Sequence, residues 1–181
     1  MIVKKTKLKG CYLLKPKIFE DKRGYFIESF NRETFRNITG LDANFVQDNE
    51  AKSSKGVLRG LHYQRGEFAQ AKLVRVIKGS VLDVAVDLRR NSSTFGEYEM
   101  VKISEENKLQ FYIPRGFAHG YLALEDETIF SYKCDNFYKK EAEAGIIFDD
   151  PDLNINWNFP IDQLIISSKD LKLPKLKNTQ L

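Results

Sequence analysis

The residues best suited to chemistry lie between positions 57 and 78, where one of the chain's two histidines is close to two basic side chains. The β-branched and aromatic residues of Val57–Tyr63 predict a strand. Strict alternation would place Gly60 and His62 on one face of that strand and Arg59 on the other. A glycine inside a strand often marks a bulge, so our hypothesis is that Gly60 redirects Arg59 into the same pocket as His62.

A lysine joins this neighbourhood through the next apolar run, Lys72–Ile77. If that run pairs with the His62 strand as the next antiparallel strand, an ammonium, a guanidinium and an imidazole meet over one β-surface. A neutral imidazole can act as a general base near pH 7, and a carboxylate behind it would fix its tautomer. Asp170 or an earlier acid must supply that carboxylate.

The chain as a whole predicts a single β-rich domain. It has 181 residues, of which 42% are hydrophobic, and it contains thirteen Phe, eight Tyr and one Trp. Strand-like runs recur at a spacing of about eight to twelve residues, which favours an antiparallel sandwich or barrel. We also predict a hairpin at Gly79-Ser80, a short helix capped by Asn31 and closed by Gly40, and a less regular portion from about residue 139.

Charge and cysteine content argue against several classes of protein. The net charge is +4, but the basic residues are interleaved with 25 acids, which is typical of a solvated surface rather than of a nucleic-acid-binding face. Cys11 and Cys134 are far apart and belong to no CxxC or Cys/His set, so we expect no disulfide and no zinc site. No apolar run is long enough to span a membrane or to follow the basic N-terminus as a leader, so we expect a cytosolic protein.

The run from Tyr25 to Phe30 contains one charged residue in an unusual place. Alternation sets Glu28 between Phe26 and Phe30 on one face. A charged side chain is rarely buried without a partner, so either this face is the wet wall of a pocket or Glu28 lies at the margin of a sheet.

The second histidine closes the motif Pro114-Arg115-Gly116-Phe117-Ala118-His119. Its P-x-G-x-x-H spacing resembles the second motif of the cupin superfamily, which consists of small jelly-roll barrels. Many cupins bind a metal through two histidines and a glutamate of a first motif, but here His62 has no second histidine beside it. We therefore expect no metal site. For His119 alone, a packed or surface residue without a chemical role remains an alternative.

Further blocks, in order along nearly the whole chain, extend this pattern. They are Pro16-x-x-Phe19-x-Asp21-x-Arg23-Gly24-x-Phe26-x-Glu28-x-Phe30, Phe45–Asn49, Gly56–Gln64, Lys72–Val76, Asp83–Asp87, Ser93–Gly96, Pro114–Gly120 and Ser168–Asp170. Together they resemble the dTDP-4-dehydrorhamnose 3,5-epimerase family. The resemblance implies an all-β cupin jelly-roll barrel with a few short helices, formed by residues 1–181, that works as a homodimer.

By the same resemblance, the protein epimerises a nucleoside-diphosphate-linked 4-keto sugar without a metal or an organic cofactor. The keto group acidifies the protons on carbons 3 and 5, so a base on one face and an acid on the other can invert each carbon through an enolate. His62 matches the base, Asp170 the carboxylate that orients it, and Tyr132 the acid. Lys72 matches a cation beside the keto oxygen.

The resemblance also implies a set of substrate contacts. Arg23 and Arg59 match positions that hold the diphosphate or the sugar, and Tyr138 matches an aromatic that stacks on the base. Glu28 would thereby belong to a wet pocket, across the dimer interface. The other matching positions are Gln47, Asp48, Asn49, His119, Glu143 and Lys169.

Three departures from the family pattern leave the substrate open. Arg65–Phe68 replaces a proline-containing loop, Lys140 stands where a proline is usual, and Phe148 replaces a usual Trp. Changed loops affect specificity more than proton transfer. A GDP-linked 4-keto heptose and inversion of a single carbon therefore remain as alternatives. A different class of protein, a sugar-nucleotide-binding cupin without catalysis, also remains.

Overall fold

The structure is a computed structural model, and it describes residues 1–179. Within that range the chain is built mainly from strands, with one α-helix, α1 (Arg32–Thr39), and several single-turn 3-10 helices. The strands in chain order are β1 (Ile2–Lys5), β2 (Tyr12–Lys15), β3 (Ile18–Asp21), β4 (Gly24–Ile27), β5 (Gln47–Ser53), β6 (Val57–Gln64), β7 (Lys72–Lys78), β8 (Ser80–Asp87), β9 (Tyr98–Ser104), β10 (Gln110–Ile113), β11 (Phe117–Ala123), β12 (Thr128–Cys134), β13 (Glu143–Gly145) and β14 (Ile165–Ile166).

Two sheets form the body of the protein. The first sheet has the order β1-β2-β10-β7-β12-β5, and the second has the order β13-β6-β11-β8-β9, with β14 added in parallel to β6. Apolar side chains from both sheets meet in one buried cluster, to which β7 contributes Val74, β12 contributes Phe130, and β8 and β11 contribute Ala85 and Tyr121. The two sheets therefore enclose a barrel interior, and the predicted jelly-roll barrel is confirmed.

The outer face of the second sheet is covered by the portion that follows residue 139. Between residues 139 and 179 this portion contains two short strands and several single-turn helices. Ile146, Phe148, Leu153 and Trp157 are buried against strands β6, β8 and β11, and the indole N–H of Trp157 donates to the Phe148 carbonyl at 3.0 Å. That residues 1–181 form a single domain stays a prediction, and positions 180–181 lie outside the described residues.

The predicted short helix is present as α1. The Asn31 side chain caps it by accepting from the Thr34 N–H, and Gly40 ends it with φ of 75°. Phe35 of this helix packs into a third cluster on the outer face of the first sheet. No helix in residues 1–179 is long and apolar enough to cross a membrane.

Strands β3 and β4 form a hairpin that pairs with neither main sheet. The hairpin exposes three aromatic side chains, since Phe19, Tyr25 and Phe26 are 52%, 55% and 68% accessible. Arg23 lies in its turn. Large exposed apolar side chains grouped on one element mark a surface that is suited to covering by another molecule.

Two predicted strand pairings are wrong. The Lys72 strand, β7, does not pair with β6 but lies between β10 and β12 in the first sheet. The Gly79-Ser80 turn does not join a hairpin, because β8 belongs to the second sheet and the chain crosses between sheets at this point. Lys72 therefore approaches His62 from the opposite wall of the barrel, not from the adjacent strand.

The hypothesis of a bulge at Gly60 agrees with the structure. His62 pairs with His119, and Arg59 pairs with Tyr121. Between these two pairs the chain advances by three residues along β6 but by two along β11, so the register shifts there. Gly60 has φ of 111°, a conformation that suits glycine. The extra residue changes the alternation, and Arg59 and His62 both line the interior.

We expect Gly60→Ala to destabilise the fold by about 2 to 5 kcal/mol. The added Cβ would lie 2.7 Å from both the Gly120 Cα and the His119 carbonyl oxygen. Gly66→Ala is the control, because Gly66 also has a positive φ but its added Cβ would meet nothing within 4 Å, and it should cost about 1 kcal/mol. Urea denaturation measures both losses, and equal losses would contradict close packing at the bulge.

Candidate active site

His62 forms a dyad with the carboxylate of Asp170. The imidazole Nε2 and the carboxylate Oδ1 are 2.7 Å apart, and the His62 side chain is 30% exposed while that of Asp170 is 5% exposed. The other carboxylate oxygen accepts the Gly60 N–H at 3.2 Å, and the Ser167 hydroxyl accepts the Asp170 N–H. Asp170 thus fixes the imidazole and the bulge at the same time.

Asp170 stays ionised in spite of its burial. Burial is the largest influence on its pKa and raises it, but hydrogen bonds and charge from His62, with the Gly60 N–H and Ser167, outweigh burial and leave the pKa below its ordinary value. An ionised carboxylate can only accept a hydrogen bond, so the Nε2 of His62 that faces Asp170 carries a hydrogen. The Nδ1 of His62 is then the nitrogen left for proton transfer.

Lys72 and Tyr132 face this dyad from the first sheet. They belong to neighbouring strands, β7 and β12, and the Lys72 ammonium lies 5.8 Å from the centre of the Tyr132 ring. Burial raises the pKa of Tyr132 to about 12, so the phenol is protonated at neutral pH. Burial also lowers the pKa of Lys72, against the opposing effects of the Cys134 thiol and the Asp83 and Glu143 carboxylates.

Two cavities meet at these side chains. The larger has a volume of about 530 Å³ and extends past Arg59 and Lys169. The smaller has a volume of about 230 Å³ and extends past Tyr138 and Glu143. Three residues line both cavities, namely His62, Lys72 and Tyr132. The groups predicted to act on the substrate therefore share one space, between the two sheets.

A second histidine–carboxylate pair lies beside the first. His119, opposite His62 on β11, has its Nε2 at 2.9 Å from Oδ2 of the fully buried Asp83. Burial lowers the pKa of His119, Lys72 and His62 lower it further, and Asp83 opposes them, so His119 is neutral in the cavity. His119 lines the larger cavity, which makes it more than a packed core residue.

Polar side chains connect the smaller cavity to the surface. The Tyr138 hydroxyl donates to Glu143 at 2.8 Å, and the Lys169 ammonium pairs with the same carboxylate at 2.6 Å. On the facing wall, Gln47 accepts the Tyr138 N–H at 3.0 Å and its amide donates to Asn49 at 3.0 Å. Burial raises the pKa of Glu143, but the bonds from Lys169 and Tyr138 outweigh it and leave the pKa lowered. These five predicted site residues are therefore brought together.

A family model described as dTDP-4-dehydrorhamnose 3,5-epimerase matches residues 5–178. The chain belongs to this family. The predicted family is confirmed, and with it the prediction of an isomerase. Among the curated members, the dTDP-4-dehydrorhamnose 3,5-epimerase of Methanothermobacter thermautotrophicus is 54% identical over 167 residues, which cover 92% of this chain and 89% of that protein.

Solved structures of the epimerase family agree over the full chain. The dTDP-4-dehydrorhamnose 3,5-epimerase of Elizabethkingia anophelis is 55% identical, with a TM-score of 0.96 and coverage of 100% of this chain and 99% of that one. A dTDP-6-deoxy-D-glucose-3,5-epimerase from Legionella pneumophila, in complex with dTDP-4-keto-L-rhamnose, is 44% identical, with a TM-score of 0.95 and coverage of 99% and 94%.

Three residues that the epimerase resemblance assigns to substrate do not line either cavity of this chain. Arg23 lies in the exposed hairpin turn and bonds Asp21, and Glu28 is exposed just after the hairpin. Asp48 is exposed and pairs with Lys133 at 3.0 Å. Alternation along β5 turns Gln47 and Asn49 toward the smaller cavity and Asp48 away from it. A substrate contact at Asp48 stays a prediction.

Sequence reasoning missed two residues of the epimerase site. Asp83, which supports His119, is a single acid inside the apolar run Val81–Val86, and a lone carboxylate in a buried strand was the signal that could have found it. Tyr121 lines the larger cavity but sits in an aromatic-rich strand, where nothing in the sequence distinguishes a cavity residue from a core residue.

Metal-ligating side chains do not gather in the described part of the chain. No group of three His, Cys, Asp or Glu residues within residues 1–179 is placed to hold a metal ion. His62 and His119 each bond a different carboxylate, Asp170 and Asp83. That the reaction needs neither a metal nor an organic cofactor stays a prediction.

Proposed function

We propose that this protein inverts carbons 3 and 5 of a dTDP-linked 4-keto-6-deoxy sugar of the dTDP-4-dehydro-6-deoxyglucose type, in the synthesis of a surface polysaccharide sugar. The observation that carries the proposal is the single space in which His62, backed by Asp170, faces Lys72 and Tyr132 from the opposite sheet. Family membership supports the reaction, and the dTDP in the names of the relatives favours that nucleotide over GDP.

In the first step, His62 takes a proton from the carbon beside the keto group. The electrons of the C–H bond form a C=C bond to the keto carbon. The keto oxygen thereby gains the negative charge of the enolate. Asp170 accepts a hydrogen bond from the Nε2–H of His62, so the proton taken from carbon arrives at Nδ1. The carboxylate stabilises the imidazolium that results. Burial disfavours the Lys72 ammonium, but the same cation becomes favourable beside the developing oxyanion.

In the second step, Tyr132 gives a proton to the same carbon from the other face. Its phenol is protonated at neutral pH because its pKa is about 12, and the nearby Lys72 cation can stabilise the phenolate that remains. A proton removed toward the second sheet and one added from the first sheet leave the carbon inverted. Water returns both side chains to their starting states.

The remaining site residues fit the two ends of a nucleotide sugar. Tyr138, which is 48% exposed, offers a ring on which the nucleotide base can stack. Glu143, Lys169, Gln47 and Asn49 hold that ring and offer polar contacts around it. His119, neutral and fixed by Asp83, offers a hydrogen bond to the sugar.

The protein is proposed to work as a homodimer whose β3–β4 hairpins complete the partner's cavities. The hairpin exposes three large aromatics and carries Arg23 in its turn, with Glu28 immediately after it. Neither residue lines the larger or the smaller cavity described above, although both match family positions that contact substrate. Burial of the hairpin against a second copy would cover the aromatics and deliver both charged groups. A cytosolic location and the lack of a nucleic-acid partner stay predictions.

We expect His62→Ala to lose proton exchange at both carbons by about a thousandfold or more, because the variant has no base. NMR in deuterated water, with the dTDP-linked 4-keto-6-deoxy sugar as substrate, measures deuterium entry at carbons 3 and 5. The affinity for dTDP should change little, which calorimetry checks and which also shows that the variant is folded.

The wild-type protein is the reference for the rival functions. Exchange at one carbon only would favour a mono-epimerase, and faster exchange with a GDP-linked 4-keto heptose would favour the other nucleotide. Tight binding of dTDP without any exchange would identify a binding protein that lacks catalysis. Unchanged exchange in His62→Ala would rule out His62 as the base.

The shared-site dimer predicts that two inactive variants restore each other. His62→Ala lacks the base and Arg23→Ala lacks the hairpin cation, so each alone should be weakly active. In an unfolded and refolded equal mixture, half of the dimers carry one chain of each kind, and one of their two sites is intact. Activity should recover to about a quarter of the wild-type value. A mixture no more active than the mean of its two components would contradict the exchange of hairpins.

A further inference from the structure

Tyr121 is a buried phenol that the proposed chemistry does not use. It lies on the wall of the larger cavity and is only 4% exposed. Its hydroxyl makes no well-aligned hydrogen bond with the residues that the structure describes, although the Ser53 and Arg59 side chains lie beside it. A buried hydroxyl without a well-aligned partner costs free energy unless a ligand completes its hydrogen bonding.

The ring of Tyr121 is held in a fixed position. It stacks on Phe130 with ring centres 4.0 Å apart and an interplanar angle of 21°, and Phe130 in turn lies 6.0 Å from the Tyr132 ring. A stacked ring in a close-packed wall does not reorient easily. The hydroxyl is therefore preorganised toward whatever occupies this end of the cavity.

Arg59 is the basic residue that pairs directly with Tyr121 across strands β6 and β11. Its guanidinium makes long contacts, from Nε to the Ser53 hydroxyl at 3.4 Å and from Nη2 to the Lys52 carbonyl at 3.5 Å. None of the ion pairs within residues 1–179 includes Arg59. A guanidinium without a carboxylate is available to an anionic ligand.

Arg59 and Tyr121 line the larger cavity, and Ser53 lies beside both of them. Burial raises the pKa of Tyr121, while hydrogen bonding with Ser53 and the charge of Arg59 act against that rise. The pair His62 and His119 is the next inward-facing pair along the same two strands. The spacing between successive inward pairs is about 6 to 7 Å, which is comparable to the span from the reacting ring carbons of a hexose to a phosphate on carbon 1.

We propose that the Tyr121 hydroxyl and the Arg59 guanidinium donate together to an anionic oxygen of the substrate's diphosphate. Tyr121 is then a substrate-binding residue that also helps to set how far the sugar enters toward His62. This inference rests on the proposed nucleotide-sugar substrate. It assigns the phenol to binding and leaves proton donation to Tyr132.

The test is Tyr121→Phe, which removes the hydroxyl and keeps the stacked ring. Calorimetry should find dTDP bound about tenfold or more weakly than by the wild type, because a hydrogen bond to a charged group is lost. The melting temperature of the ligand-free variant should be equal or higher, because a buried hydroxyl without a well-aligned partner has been removed. Tyr112→Phe, in a buried cluster on the outer face of the first sheet, is the control and should leave dTDP affinity unchanged.

A double-mutant cycle with Arg59→Gln tests whether the two groups act on the same oxygen. The combined loss of dTDP affinity should be smaller than the product of the two single losses. Unchanged affinity in Tyr121→Phe, strictly multiplicative losses, or a lower melting temperature that accompanies the weaker binding would each overturn the inference. If the wild type itself does not bind dTDP, the proposed substrate fails as well, and the two failures are thereby distinguished.

Discussion

The carboxylate of Asp170 is the group on which the site depends. One oxygen bonds the His62 imidazole and the other accepts the Gly60 N–H, so a single side chain from the C-terminal portion holds both the base and the bulge. The bulge in turn brings Arg59 and His62 to the same side of β6. Packing of the C-terminal portion on the second sheet, through residues such as Ile146 and Trp157, is what delivers Asp170 to this position.

The barrel places opposite chemical roles on opposite walls. The second sheet carries His62 and His119, each oriented by a buried carboxylate, while the first sheet carries Lys72 and Tyr132. Burial lowers the pKa of Lys72 and His119 and raises that of Tyr132 to about 12. A histidine held by a carboxylate and a protonated phenol on the facing wall form a natural base and acid pair for inversion at carbon.

Local features of the fold were predictable because they depend on neighbours in sequence. The Asn31 cap and the Gly40 terminus defined α1, and the glycine inside the Val57–Tyr63 run indicated the bulge. Pairing partners of strands were not predictable in the same way. The turn at Gly79 looks like a hairpin locally, but the chain crosses between sheets there, and only the packing of the whole barrel decides this.

The same limit applies to the site. The family resemblance pointed to His62, Lys72, Tyr132 and Asp170, and the structure brings all four around the larger cavity. Motif blocks carry no information on which way a side chain points, and so they did not separate Asp48, which faces outward, from its inward neighbours. The Asp83–Asp87 block contained Asp83 but did not indicate its bond to His119, and no block contained Tyr121, whose place on the cavity wall follows from the packing of the barrel.

The central claim is that His62 and Tyr132 act on one carbon from opposite sides, and Tyr132→Phe tests it most directly. Deuterium entry and inversion would be followed together by NMR in deuterated water. If His62 removes the proton and Tyr132 replaces it from the other face, exchange should persist in this variant while inversion falls by about a hundredfold or more. Equal loss of exchange and inversion would contradict the claim.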